Sequence, residues 1–146
     1  MISQITVFLE NSKGRLLALT RCLGDADVDM HALTIAETSD YGLVRIIADN
    51  TDAALKALDE HGFRATRTHV TAIEVPNRPG GLADLLEVLE EMNLNIEYGY
   101  CFSSKGGVAV DVLKIRAMPK LPRLVLNLKE LDLSCLSRKI FNSFVS

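Results

Sequence analysis

An α+β fold made of two similar βαββαβ modules with antiparallel sheets is predicted by three observations. The segment Glu10-Asn11-Ser12-Lys13-Gly14-Arg15-Leu16 returns 66 residues later as Pro76-Asn77-Arg78-Pro79-Gly80-Gly81-Leu82. Each copy follows a run of alternating apolar residues and opens an amphipathic stretch at helical spacing. Turn residues then separate two further strand-like runs in each half, which reads as a hairpin.

Ile5, Val7 and Leu9 alternate as in a strand half-buried on a sheet. Leu16, Leu19 and Leu23 follow at helical spacing, with Gly24 as the expected stop. Asp29 to Glu37 reads as a second strand, Asp40-Tyr41-Gly42 as a turn, and Leu43 to Ala48 as a third strand. Asp49-Asn50-Thr51-Asp52 offers N-cap chemistry to a second helix through Ala54, Leu55 and Leu58, closed by Gly62 where φ > 0 is expected. Phe63 to Thr68 completes the first module.

From Val70 the order begins again: a strand to Val75, the turn at Asn77 to Gly81, and a helix with Leu82, Leu85, Leu86, Leu89 and Met92 on one stripe. Asn95–Ser103 and Gly107–Ile115 form the second hairpin. Ile96, Tyr98, Tyr100 and Phe102 then share one face, as do Val108, Val110 and Val112, and the aromatic row is expected to pack on a helix. The split β-α-β order specifies two ferredoxin-like sandwiches, residues 1–68 and 69–146, joined by a linker of almost no length around His69. Beyond Ile115 the pattern changes. Leu121, Leu124, Leu128 and Leu131 keep helical spacing, which suggests a helix over 120–131 and a last strand from Ile140 to Val145.

Charge narrows the function classes. The net charge of −3 argues against a protein held on a phosphate backbone, so no nucleic acid partner is expected. The distribution is uneven: residues 1–116 carry 11 Lys/Arg against 17 Asp/Glu, and residues 117–146 carry 5 against 2. No apolar run approaches the roughly 20 residues of a bilayer span, and the Met1-Ile2-Ser3-Gln4 start lacks secretory character. No membrane association and a cytoplasmic address are the expectation. Cys22, Cys101 and Cys135 read as free, mostly buried thiols. His31, His61 and His69 have no metal-ligand spacing, and no nucleophile with a base stands out, so no metal, no cofactor and no catalytic residue are expected. An acylphosphatase would need a glycine-rich phosphate loop between Ile5 and Leu16, which is absent, and Phe8 alone does not make an RNA-binding face.

The repeated positions suggest a binding site. Asn11 matches Asn77, Gly14 matches Gly80, Leu16 matches Leu82 and Leu23 matches Leu89. Pro79 fixes φ, while Gly80 and Gly81 carry no Cβ, so the backbone can come close to a small ligand where a helix begins. First-turn N–H groups favour an anion such as an α-carboxylate, and Asn77 can address either end of a zwitterion.

At Asn77-Arg78-Pro79-Gly80-Gly81-Leu82, with Leu94-Asn95-Ile96 after the helix, the chain resembles the ACT-domain family of amino-acid-binding regulatory modules, and Leu9 to Leu16 looks like a looser copy. Together they resemble the stand-alone tandem ACT proteins over residues 1 to 115. The resemblance implies ligand positions at Asn77, Arg78, Gly80, Gly81, Leu82, Asn95 and Ile96. In the first copy the matching positions are Asn11, Gly14, Arg15, Leu16 and Asp29. In serine-responsive modules of this kind, the loop Asn and the Asn after the helix act across a domain interface. Here Ser12-Lys13 replaces Arg-Pro and Asp29 stands where Asn95 stands, so the two sites need not be equivalent.

A free amino acid has about ten non-hydrogen atoms, and at roughly 0.5 kcal/mol per atom its Kd falls near 0.1–1 mM. Open sheet edges, with the atypical stretch after Ile115, lead to the expectation of a homodimer, and the resemblance adds a regulated enzyme as a partner. The alternative is a regulatory subunit like the acetolactate synthase small subunit, which Phe8 to Gly14 also resembles, although that subunit carries a different C-terminal domain.

Overall fold

The computed structural model describes residues 1–37, 41–103 and 108–116. Nine elements follow one another: β1 (Ile2–Glu10), α1 (Arg15–Asp25), β2 (Met30–Glu37), β3 (Tyr41–Ala48), α2 (Thr51–Glu60), β4 (Arg64–Pro76), α3 (Gly81–Glu91), β5 (Ile96–Ser103) and β6 (Val108–Ile115). The chain divides into two compact units, the first Ile2–His69 and the second beginning at Val70. The expected helix over 120–131 and strand from Ile140 lie outside the described residues, as does Cys135.

In the first unit the strands lie in the order β2-β3-β1-β4, the antiparallel ferredoxin-like order that βαββαβ connectivity produces. Ile5 opposes Ile46 and Val7 opposes Val44 across β1 and β3, while Ile35 opposes Val44 across β2 and β3. One core gathers Ile5, Val7 and Leu9 with Leu19, Cys22 and Leu23 of α1 and Ala54, Ala57 and Leu58 of α2. Leu19, Leu23 and Leu58 are fully buried, each contributing about 1.5–3 kcal/mol relative to exposure. The buried stripe of α1 is Leu19, Cys22 and Leu23, so Leu16, expected on it, stays 39% exposed. Strand β1 is buried on both faces rather than one. Gln4 and Thr6 are buried opposite the helices, and Gln4 Nε2 donates to Thr6 Oγ1 at 3.0 Å, meeting part of the polar demand that burial creates.

Three local details depart from the sequence reading. Helix α1 runs through Gly24, and the left-handed residue that ends it is Asp27, at φ 56. Asp is tolerated there because its short polar side chain makes that region less costly than for most residues. Strand β3 starts at Tyr41, so Tyr41 and Gly42 belong to the strand rather than to a turn. Strand β4 is continuous through His69, because nothing from Arg64 to Pro76 breaks an extended backbone. The expected helix α2 holds: Asn50 caps it, its side chain accepting from the Ala53 N–H at 3.0 Å, and Gly62 closes it at φ 74.

In the second unit β6 lies between β4 and β5, both antiparallel to it. Ile73 and Val75 of β4, Leu85 and Leu89 of α3, and Ala109, Leu113 and Ile115 of β6 form its core. A register shift between Ile96 and Tyr98 changes which side chains face α3. Ile96 opposes Ile115 and packs on the α3 core, whereas Tyr98 opposes Lys114 and Tyr100 opposes Val112, on the opposite face. The two tyrosines therefore do not pack on the helix as expected, and lie on the same face as Val110 and Val112. The side chain of Phe102 lies outside the described residues.

Candidate functional site

Both strand-to-helix loops close with the same pattern of three backbone hydrogen bonds. In the first, the Ser12 N–H donates to the Glu10 carbonyl at 2.8 Å, Arg15 N–H to Ser12 at 3.3 Å and Ala18 N–H to Gly14 at 2.9 Å. In the second, Arg78 N–H donates to Pro76 at 2.8 Å, Gly81 N–H to Arg78 at 3.0 Å and Asp84 N–H to Gly80 at 3.0 Å. Gly14 sits at φ 87, ψ −12 and Gly80 at φ 85, ψ −12, a left-handed conformation that glycine adopts without the Cβ penalty. Neither helix has a side-chain N-cap. The N–H groups of Leu16 and Leu17, and of Leu82 and Ala83, consequently have no acceptor among the described residues and present the positive end of each helix.

Side chains separate the two loops. A Cβ on Gly81 would stand 2.2 Å from the Pro76 carbonyl oxygen, so the space expected to admit a ligand is taken by the turn itself. In the first copy Arg15 fills the corresponding place. Arg78 folds back, its guanidinium donating to Asp84 Oδ2 and, at 3.2 Å, to the Pro79 carbonyl. Asn77 and Asn95 are exposed, and neither side chain has a partner among the described residues.

Beside the first loop lies a cavity of about 280 Å³ lined by Leu9, Glu10, Asn11, Ser12, Leu16, Ile35, Gly42 and Val44. Its polar rim is Glu10, Asn11 and Ser12 from the loop. Its wall is the helix-facing side of β1, β3 and β2, where Gly42 opposes Leu9 and Val44 opposes Ile35. Gly42 needs no left-handed backbone, and a Cβ there would make only ordinary contacts from 3.7 Å, so the missing side chain leaves room rather than relieving strain.

Of the positions singled out by sequence, Asn11 and Leu16 line this cavity and Gly14 shapes it. Arg15 turns aside, its guanidinium 4.9 Å from the Phe63 ring centroid. Asp29 lies beyond the far end of α1, its N–H donating to Asp49 Oδ1 at 3.0 Å. The 11 residues of α1 place Asp29 about 16 Å from the loop, and the 11 of α3 separate Asn95 and Ile96 from Asn77 similarly. Within one unit, then, the loop and the post-helix position cannot reach one small ligand together. Ile35 and Gly42 were missed in the sequence. An isolated glycine in a strand pattern was the available signal, masked by the turn-like Asp40-Tyr41-Gly42.

The other titratable groups have structural surroundings. The Cys22 Sγ, buried, donates to the Ala57 carbonyl at 3.4 Å, and burial, with Asp25 and Glu60 nearby, pushes its thiol up. Cys101 is exposed, contrary to expectation. Asp111 is 4% exposed, and burial raises its carboxyl, opposed by a hydrogen bond from Cys101. Among the described residues no group of three or more His, Cys, Asp and Glu side chains is placed to hold a metal, and no helix is long and apolar enough to cross a membrane.

Known proteins share this architecture. A structure of protein BT0572 from Bacteroides thetaiotaomicron is 37% identical, with a TM-score of 0.81 over 90% of this chain and 88% of that one. The ligand-free regulatory subunit of aspartate kinase from Thermus thermophilus is 16% identical, with a TM-score of 0.59 over 76% of this chain and 80% of that one, a likeness of fold alone. Erythronolide synthase EryA2 from Saccharopolyspora erythraea is 34% identical over 101 residues, which is 69% of this chain but only 3% of that protein. The family model described as an ACT domain pair matches residues 1–135, and the chain belongs to that family.

Proposed function

We propose that this protein is a non-catalytic regulatory sensor of free amino acids, with residues 1–68 and 69–146 as its two modules. The observation that carries the reading is the pairing of an Asn with a left-handed glycine at each helix start, beside an open cavity in the first module. At the first loop, the free N–H groups of Leu16 and Leu17 receive the ligand's carboxylate. Glu10 attracts its ammonium group, and Asn11 serves either end. Leu9, Ile35 and Val44 form an apolar wall, which favours an aliphatic side chain. In the second module Asn77, Gly80 and Leu82 play the corresponding parts, with Asn95 and Ile96 contributing from another module.

That last requirement, and the exposed Leu33 and Ile35 on β2, support a homodimer in which chains pair through a sheet edge or helices. A regulated biosynthetic enzyme is the downstream partner. A thermal-shift screen of the twenty amino acids at about 10–50 mM tests the sensor reading. At 100 times Kd the bound ligand stabilises by about 2.7 kcal/mol, a rise of several degrees in Tm. No shift from any of them, in folded protein free of co-purified ligand, overturns it.

A further inference from the structure

A second cavity, of about 490 Å³, opens on the other side of the β1 end, lined by Phe8, Leu9, Glu10, Arg15, Tyr41 and Arg64, with Gly62. Each of its two guanidiniums lies over a ring, and among the described residues only Arg15 also has an acid in reach. Arg64 lies 5.2 Å from the Phe8 ring centroid and Arg15 4.9 Å from that of Phe63. Three other described arginines pair with carboxylates instead, Arg67 with Asp52, Arg78 with Asp84 and Arg116 with Glu97. Arg64 has no acidic partner among the described residues. Arg15 Nε is buried without a hydrogen-bond partner, its nearest carboxylate oxygen, Glu10 Oε2, standing 4.0 Å away.

A guanidinium stacked face-on to a ring keeps its N–H donors in the plane, where they fork onto a carboxylate or phosphate. Two arginines and one glutamate leave a single net positive charge at the mouth, suited to a monoanion. Phe8, Leu9 and Tyr41 add apolar surface for an organic body.

We propose that this cavity binds a small organic oxyanion, its carboxylate or phosphate group held between Arg15 and Arg64 and its body against Phe8 and Tyr41. The site adjoins the loop cavity, sharing Leu9 and Glu10 with it, but its two arginines line this cavity alone, and it stands whether or not the loop cavity binds amino acids.

The test is a titration of the full chain followed by the arginine Nε–Hε signals in NMR, at constant ionic strength, with inorganic phosphate, phenyl phosphate, benzoate and the neutral benzamide. The expected result is saturable movement of the Arg15 and Arg64 signals with at least one anion and none with benzamide. A response to the two phosphates alone identifies phosphate as the natural group, and a response to benzoate alone identifies a carboxylate. Arg64→Gln is expected to weaken the responding anion about tenfold and Arg64→Lys less, since lysine keeps the charge but loses the fork. Absence of saturation up to about 50 mM for every anion, a range in which even weak sites fill, overturns the proposal. Equal movement with benzamide, or wild-type affinity in Arg64→Gln, does the same.

Discussion

The two strand-to-helix loops share a backbone to within a few degrees at the left-handed glycines Gly14 and Gly80, and keep the same Asn and Leu, yet differ at the four positions between and around them. Gly14 and Gly80 dictate the turn, and the residues around them decide what each turn can hold. In the first loop Arg15 leans away onto Phe63 and a cavity stands beside Asn11. In the second, Gly81 presses the helix start against the Pro76 carbonyl and Arg78 is tied to Asp84. Under the proposed function, the same turn with unequal side chains makes two sites of one type and different preference.

The sharpest way to break that contrast is at the first helical residue. Gly81→Ala forces a Cβ into the Pro76 carbonyl and is expected to destabilise by about 2–3 kcal/mol, whereas Arg15→Ala at the equivalent place costs under about 1 kcal/mol. Urea unfolding of both variants measures the difference. The shared backbone predicts the opposite pattern one residue earlier. Gly14→Ala and Gly80→Ala, both at positive φ without a severe clash, are each expected to lose about 1–2 kcal/mol, and unequal losses would show that the loops are not equivalent.

The buried polar groups sharpen the comparison further. The first unit pairs Gln4 with Thr6, while the second buries Asp111, whose carboxyl is raised by desolvation. A carboxyl raised in the folded state binds its proton more tightly there than in the unfolded chain. Its contribution is therefore fully present below the ordinary carboxylate range and is lost as pH rises through the folded value. Asp111→Asn is accordingly expected to be more stable than wild type at neutral pH by about 1 kcal/mol, with the gain vanishing near pH 4. Denaturant midpoints at the two pH values check the sign.

Much of this was legible in the sequence because the signals were local. Asn50 and Gly62 bracket α2 by capping chemistry, and the matched Gly14 and Gly80 announced the repeated turn. What escaped depended on context. Helix α1 passes Gly24 because packing of Leu19 and Leu23 outweighs the roughly 1 kcal/mol penalty of an internal glycine. The register shift after Ile96 reverses the tyrosine faces, and nothing in Asn95 to Tyr100 marks it. Gly42 looked like a turn because Asp40 and Tyr41 precede it, yet its role as the floor of a cavity exists only once β1 and β3 pair. The continuous β4 was divided because the repeat restarts within it.

The ligand predictions leave stability unchanged and lie closest to function. Asn11→Ala and Asn77→Ala are each expected to weaken binding at their own loop by roughly 1–2 kcal/mol, about tenfold in Kd, with the fold intact.

Gly42→Val, compatible with a strand and directed into the cavity, supplies the most direct test when set beside wild type in calorimetric titrations with the twenty amino acids. The account predicts saturable binding of at least one, an aliphatic amino acid foremost, with Kd near 0.1–1 mM. It also predicts loss of the first-loop component in Gly42→Val at nearly unchanged stability. Binding to a folded Gly42→Val protein indistinguishable from wild type, or no binding by any of the twenty to ligand-free wild type, would contradict it.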